Sequence, residues 1–319
     1  MSEDDALPPT LDPMGGFGPG ADARTGFIAI LGAPNVGKST LLNTLVGSKV
    51  SIVSPKVQTT RARVLGICIR GVAQLVFIDT PGIFQPRRRL DRAMVAAAWG
   101  GAKDGDMVLL LVDAQRGIDK DTAAILEDLT KMPPDKAVLL AINKTDAVPK
   151  PKLLELASAL DARGLFKEIF MISALKGEGV DDLAAHLEAT APQGPWMFPE
   201  DQISDMPGRL LAAEITREKL YLQLRQELPY AATVETETWE NWKDGSIKIE
   251  QVVYVERPTQ KAIVLGKGGS RIKQLGEAAR TELEHLLETR VHLFLFVKVR
   301  EKWGDDPERY RDWGLDYNA

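Results

Sequence analysis

A single cysteine stands in 319 residues. Cys68, in the alternating run VLGICIR, has no partner for an internal disulfide, which suits a reducing compartment and reads as a small apolar strand residue. Histidine is almost as scarce: His186, His285 and His292 are too scattered to suggest a metal site. No apolar run approaches the roughly 18 residues that a membrane span needs. The opening stretch MSEDDALPPTLDPMGGFGPGADART lacks the basic and apolar regions of a signal peptide, so a cytoplasmic location is expected. Nor is positive charge in excess. Forty Lys and Arg against 45 Asp and Glu give a formal net charge of −5, so any nucleic-acid partner must be met by a local patch. Long coiled-coil heptads are missing too, and a monomer is the default expectation.

What is present is chain enough for about two domains. Residues 1–24, acidic and rich in Pro and Gly, read as a disordered tail. From residue 25 to 190 short apolar runs alternate with helical patterns. GFIAILG, RVLGICI, AQLVFIDT, DMVLLLVDA, KAVLLAIN and KEIFMISA have strand length; KSTLLNTLVG and the stretches 90–103, 119–131, 152–162 and 180–189 have helical spacing. Such alternation predicts an α/β domain, a mostly parallel sheet with helices on both faces and its chemistry at the carboxyl ends of the strands. Four prolines and no periodicity mark 191–207 as a linker. From 208 to 319 the order reads helix, two strands, a short apolar run KAIVLG taken as a strand, helix and strand: a separate α+β domain with a short closing segment, DDPERYRDWG.

The residues GAPNVGKST, Gly32–Thr40, have the spacing of a phosphate-binding loop and lie between a predicted strand and a predicted helix. Backbone N–H groups of Gly32, Asn35, Val36 and Gly37 through Thr40 would cradle phosphates. Lys38 would reach the β and γ phosphates, and the Ser39 hydroxyl would meet Mg²⁺. DTPG places Asp79 at a strand end, suited to support the metal, and Gly82 where its N–H could meet the γ-phosphate. NKTD supplies Asn143, Lys144 and Asp146. A carboxylate accepts from both N1–H and the 2-amino group of guanine; adenine offers neither donor and would leave it unpaired. SALKG follows the last sheet strand, and Ser173, Ala174 and Leu175 could support the base through backbone N–H.

In this order the four boxes resemble those of the translation-factor-related GTPases. The resemblance implies a threonine between the first two boxes that closes on Mg²⁺ in the GTP state. SPKVQTTR offers Thr59 and Thr60, and the arginine that follows favours Thr60. One departure bears on mechanism: Ile83 stands directly after DTPG, where a water-orienting glutamine would be expected. Slow intrinsic hydrolysis follows. In the subfamily with a hydrophobic residue there, an asparagine resembling Asn35 helps bind K⁺, which stabilises transition-state charge as an arginine finger would. The catalytic set is then Lys38, Thr60, Gly82 and Asn35, with Ser39, Thr60 and Asp79 around the metal. Equal turnover in potassium and sodium would refute the potassium part.

A second glycine loop, GKGGSRIK, has no lysine–serine pair and no second DxxG or NKxD after it, so it is no second nucleotide site. Its place in a small α+β domain is that of the G-x-x-G loop of a KH domain, which clamps single-stranded RNA. Between Lys261 and Arg280 five basic residues face one acid, Glu277, whereas everything from Pro207 onward holds 18 basic against 19 acidic residues. The charge gathers where backbone phosphates would lie. Gly266, Lys267, Gly268, Gly269, Arg271 and Lys273 would meet the backbone, with Ile263, Val264, Leu265 and Ile272 as an apolar floor for bases. A solvated basic helix over an ordinary core is the plainer alternative.

Taken together, and with FPEDQISD, EITREKLY, ELPYAATVE and VHLFLFVKVREKW, the chain from about Gly26 onward closely resembles the Era-like GTPases with a C-terminal type II KH domain. The resemblance implies GTP/GDP and Mg²⁺ as ligands. It implies binding to the 3′ end of small-subunit rRNA, a role in assembly of the 30S subunit and, in some members, peripheral contact with the inner membrane. The residues themselves leave two other readings open: an RNA-binding adaptor with structural nucleotide, and a kinase built on the phosphate loop. Trp239 and Trp242 are expected to pack over the sheet end, with base stacking as the alternative. Arg87–Arg89 read as a solvated loop, with proximity to nucleotide or partner as the alternative.

Overall fold

The computed structural model describes residues 17–56, 59–86, 88–224 and 228–319. The chain divides into two compact units. The first comprises Met1–Val50, Arg63–Gln85 and Ala97–Asp205; the second comprises Ser51–Ala62, Pro86–Ala96 and Met206–Ala319.

The first unit is built on six strands: β1 (Arg24–Leu31), β2 (Val64–Arg70), β3 (Ala73–Asp79), β4 (Met107–Asp113), β5 (Ala137–Asn143) and β6 (Ile169–Ile172). Their order is β2-β3-β1-β4-β5-β6, parallel except for the β2–β3 hairpin. β3 and β4 are buried along their whole length, as continuous apolar runs in a covered sheet should be. The helices are α1 (Lys38–Val46), α2 (Arg89–Asp104), α3 (Lys120–Leu129), α4 (Lys150–Asp161) and α5 (Val180–Thr190); α2 begins in the segment grouped with the second unit. α1 and α5 pack on the β1–β3 region of the sheet, where Gly66 faces Leu42 and Val46. One residue along, Leu65, Ile67, Val76 and Ile78 form a cluster on the opposite face, which Gly101 of α2 approaches. Helices thus cover both faces.

Residues 1–16 of the expected tail lie outside the described residues. Its remainder is not disordered: Phe17 exchanges backbone hydrogen bonds with Trp196, and Gly20–Asp22 form a 3-10 turn. The aperiodic stretch after α5 is held as well. Trp196 Nε1 donates to Val72 O (3.0 Å), Gln74 Oε1 accepts from the N–H groups of Met197 and Phe198, and Ile67 N donates to Ile203 O on the β2 edge. Backbone hydrogen bonding, invisible to hydropathy patterning, makes this segment part of the first unit as far as Asp205.

In the second unit α6 (Gly208–Gln223) precedes β7 (Ala232–Asn241), β8 (Ile247–Val255), α7 (Pro258–Leu265), α8 (Ser270–Leu286), β9 (Val291–Val299) and the closing α9 (Pro307–Asp312). β7 and β8 are antiparallel, with a register shift between Thr236 and Thr238; β9 runs parallel to β8. α6 and α8 pack against the sheet, burying Ala213, Leu220, Val253, Val264, Leu275 and Val297 together. The run KAIVLG is helix, not strand. Pro258 opens α7 with a pre-set φ, and Gln260 Oε1 accepts from the N–H groups of Glu256 and Arg257 (2.9 and 3.0 Å). A short apolar run carries no periodicity able to tell the two apart; the capping pattern before it does. Trp239 packs into the core beside Ile249 and Leu283, whereas Trp242 is exposed and stacks on His292 at 4.6 Å. Arg87 lies outside the described residues. Arg88 is exposed, and the Arg89 guanidinium sits over the Tyr317 ring.

Candidate functional site

β1 ends at Leu31 and the chain turns through Gly32–Gly37 into α1. Gly37 caps α1 at φ +103°, and a Cβ there would lie 2.3 Å from Asn143 Nδ2, so only glycine fits. The carbonyls of this loop are all engaged. Lys38 Nζ donates to Gly32 O and Ala33 O (both 3.1 Å), Arg116 Nη1 to Pro34 O, Lys144 Nζ to Asn35 O and Asn143 Nδ2 to Val36 O, the last three at 2.8 Å. With these carbonyls occupied, the backbone N–H groups are what the loop can offer an anion at the start of α1.

Ser39 Oγ donates to Asp79 Oδ2 at 2.8 Å. A hydroxyl and a carboxylate side by side are oxygen donors of the kind a small divalent cation takes. Lys38 is buried, and burial holds its ammonium down to about 8, with Asp79 opposing the shift. Bound phosphate favours the charged form, so binding takes up a proton once pH exceeds the free value. GDP affinity is therefore expected to be flat near pH 7 and to fall as pH rises through 8, approaching about tenfold per pH unit. A titration of fluorescent GDP across this range checks it, and constant affinity would rule it out.

Asn143, at the end of β5 and buried, links three motifs: Nδ2 holds Val36 O, and Oδ1 accepts from Ala174 N (2.9 Å). The Ala174 N–H is thus occupied by Asn143, while Leu175 is largely exposed. Thr145 Oγ1 anchors the next turn on Ile172 O. Asp146 is exposed, with Lys176 Nζ 3.7 Å away; a hydrogen bond from Ser173, aided by Lys176, holds its carboxyl below the usual range. Ile83 is buried and its N–H donates to Gly32 O. The structure brings Gly32–Thr40, Asp79, Gly82, Asn143–Asp146 and Ser173–Leu175 into the first unit.

Thr59 and Thr60 fall in Ser51–Ala62, which packs with the second unit. There the Thr59 carbonyl accepts from Arg217, its hydroxyl bonds Ser54 Oγ (2.6 Å), and Arg61 is buried between the rings of Tyr221 and Trp303.

The second glycine loop joins α7 to α8. Gly266 is sterically committed, since a Cβ there would meet Arg271 at 2.8 Å. Gly268 and Gly269, at φ +60° and +79°, have no heavy atom within 4 Å of a would-be Cβ. Lys267, Arg271 and Lys273 are exposed around this open backbone. Ile263 is 48% exposed and Ile272 partly buried, but Val264 is fully buried in the core and is no part of a floor; the helical turn of α7 points it inward.

Family models match both halves: a 50S ribosome-binding GTPase over residues 27–144 and a KH domain over residues 227–304. GTPase Era of Rhizobium meliloti (strain 1021) is 62% identical over 294 residues, 92% of this chain and 93% of the relative. The chain belongs to the Era family of GTPases. Era of Brucella suis biovar 1 (strain 1330) is 60% identical over 305 residues, 96% of this chain and 97% of its own length. Two solved Era structures align with a TM-score of 0.86 at 41% identity. One is in complex with MgGDPNP and nucleotides 1506–1542 of 16S ribosomal RNA, covering 92% of this chain and 99% of that one. The other is an Aquifex aeolicus Era variant bound to GDP·AlF4⁻, covering 91% and 99%. As an Era GTPase, the chain joins a P-loop GTPase domain to a KH domain, and the kinase reading of its phosphate loop falls away. Among the described residues no helix is long and apolar enough to cross a membrane.

The motifs did not reveal Asp113 and Arg116. Asp113, at the carboxyl end of β4 and buried, accepts from Lys144 Nζ at 2.6 Å. A carboxylate at the end of an otherwise apolar strand, as in LLLVDAQRG, was the available signal.

Proposed function

We propose that this chain binds the 3′ end of small-subunit rRNA through Gly266–Lys273 of its KH domain, under control of guanine nucleotide, in assembly of the 30S subunit. The observation that carries the reading is the backbone at Gly268 and Gly269. It is open, it leads into α8, and it is ringed by exposed Lys267, Arg271 and Lys273. The Era structure that holds 16S RNA together with a GTP analogue supports the choice of RNA.

In the nucleotide site Lys38 neutralises phosphate charge, the loop N–H groups orient the β and γ phosphates, and Asp146 selects guanine. Ser39, Asp79 and, in the GTP state, Thr60 are the residues that would hold Mg²⁺. When bound, Mg²⁺ supplies charge neutralisation on the phosphates. Buried Ile83 cannot orient the attacking water, which is why slow intrinsic turnover is expected and why K⁺ at Asn35 belongs to this reading.

The test is crosslinking in cells followed by sequencing of bound RNA, comparing the native chain with a Lys267→Asp, Gly268→Asp double variant. Both substitutions leave the core untouched. A sharp peak at the 3′ end of the small-subunit rRNA, lost in the variant, is the expected result. The same peak unchanged in the variant would remove the loop from RNA recognition, and diffuse RNA would remove the rRNA assignment.

A further inference from the structure

Four side chains hold the carbonyls of the phosphate loop from Gly32 to Val36, and three of them, Lys38, Asn143 and Lys144, belong to the nucleotide motifs. The fourth, Arg116, does not. It lies in the turn after β4, where its own N–H donates to Asp113 O at 3.1 Å. Nη1 reaches Pro34 O at 2.8 Å, and Nη2 pairs with Asp119, the residue that caps α3 by accepting from Thr122 N. Asp113 is therefore a hub for two arms. Its main chain fixes Arg116, its carboxylate fixes Lys144, and the arms hold two successive carbonyls, those of Pro34 and Asn35.

Of the two, Asn35 carries backbone strain. Asn35 is held at φ +64°, in the left-handed region that non-glycine residues seldom adopt. Pro34 is closely approached from the side of DTPG: a Cβ on Gly82 would lie 2.9 Å from Pro34 Cα and 3.0 Å from its N. Pro34 is thus gripped by Arg116 and abutted by the backbone of Gly82.

We propose that Arg116 is a positioning residue for GTP hydrolysis, fixing the Pro34–Asn35 turn of the phosphate loop where it meets Gly82. This rests on the reading that Gly32–Thr40 cradle the phosphates and that Gly82 meets the γ-phosphate. It acts at the γ end of the site, so its loss changes turnover more than it changes the binding of a diphosphate.

The experiment uses the full chain with Arg116→Met and Arg116→Lys, and Lys38→Ala as a control on the underlying reading. GDP affinity, single-turnover hydrolysis at saturating GTP and thermal melting are measured for each. Arg116→Met is expected to slow hydrolysis by about 10- to 100-fold, to change GDP affinity by less than about threefold and to melt like the native chain. Arg116→Lys is expected to recover part of the rate, because an ammonium keeps a charged donor for Pro34 O but lacks the second, separate nitrogen that the guanidinium gives to Asp119. An unchanged rate, a lysine variant no better than methionine, or rate and GDP affinity falling by the same factor would each overturn the proposal. If Lys38→Ala binds GDP as the native chain does, the phosphate-loop reading itself fails, an outcome distinct from any of these.

Discussion

Asp146→Asn should convert a guanine site into a xanthine site. GTP affinity is expected to fall by about 10²- to 10³-fold while XTP becomes the preferred ligand. The reason is a count of donors and acceptors. The carboxylate accepts from guanine N1–H and from the 2-amino group. A carboxamide still accepts one of these bonds but turns its NH2 toward the other donor, leaving both unpaired. Xanthine carries a carbonyl in place of the 2-amino group and restores both bonds. The surroundings reinforce the native choice, since the Ser173 hydroxyl and Lys176 keep Asp146 ionised well below neutral pH. Asn143 cannot compensate, because its amide is spent on Val36 O and Ala174 N. Displacement of a fluorescent nucleotide by GDP and by XDP gives the answer in one experiment. A variant that retains its preference for GDP would show that Asp146 does not read the base.

The parts of this molecule legible in its sequence are those in which function or solvent imposes a short pattern. Glycines at fixed spacing before Lys38 mark a tight loop, and Gly37 is required there by its φ of +103° and by the Asn143 amide that a Cβ would meet. Continuous apolar runs such as MVLLLV mark strands covered on both faces. What escaped the reading depends on reach and on distance along the chain. The grip of Arg116 on Pro34 spans 82 residues and uses the end of a long side chain. The stretch 191–205 has no periodicity because backbone hydrogen bonds, not an apolar face, hold it in place. α7 is ambiguous in the sequence because eight residues of mixed apolar character fit either period, and only Pro258 and Gln260 betray the helix. The least legible feature is the grouping of Ser51–Ala62 with the second unit. Its contacts reach residues some 160 positions away, as from Arg61 to Tyr221, and no local pattern encodes such a pairing.

That grouping carries the largest stability effect expected here. Arg217, on α6, is 1% exposed. It makes two hydrogen bonds to the Glu214 carboxylate, from Nε at 2.8 Å and from Nη2, and Nη2 also donates to the Thr59 carbonyl. Arg217→Met keeps much of the volume and removes the charge, leaving Glu214 buried without its partner. Breaking one side of a buried pair in this way costs about 3–5 kcal/mol. Glu214→Leu alone leaves a buried guanidinium without its carboxylate and should cost a similar amount. The double variant Arg217→Met, Glu214→Leu should recover most of the loss, because neither member of the pair is then left without the other. The native pair is itself imperfect: Arg217 Nη1 has no hydrogen-bond partner among the described residues, so its desolvation is only partly offset. Denaturant unfolding of the second unit, followed by the fluorescence of Trp303 and its neighbours, measures all three variants. Strong non-additivity is the signature of a shared interaction. A loss below about 1 kcal/mol for Arg217→Met would instead place the pair in the range of a solvated surface contact. The Thr59–Thr60 turn would then owe its place to Arg61, stacked on Trp303 and bonded to Ala232 O and Tyr221 Oη, rather than to the ion pair on α6.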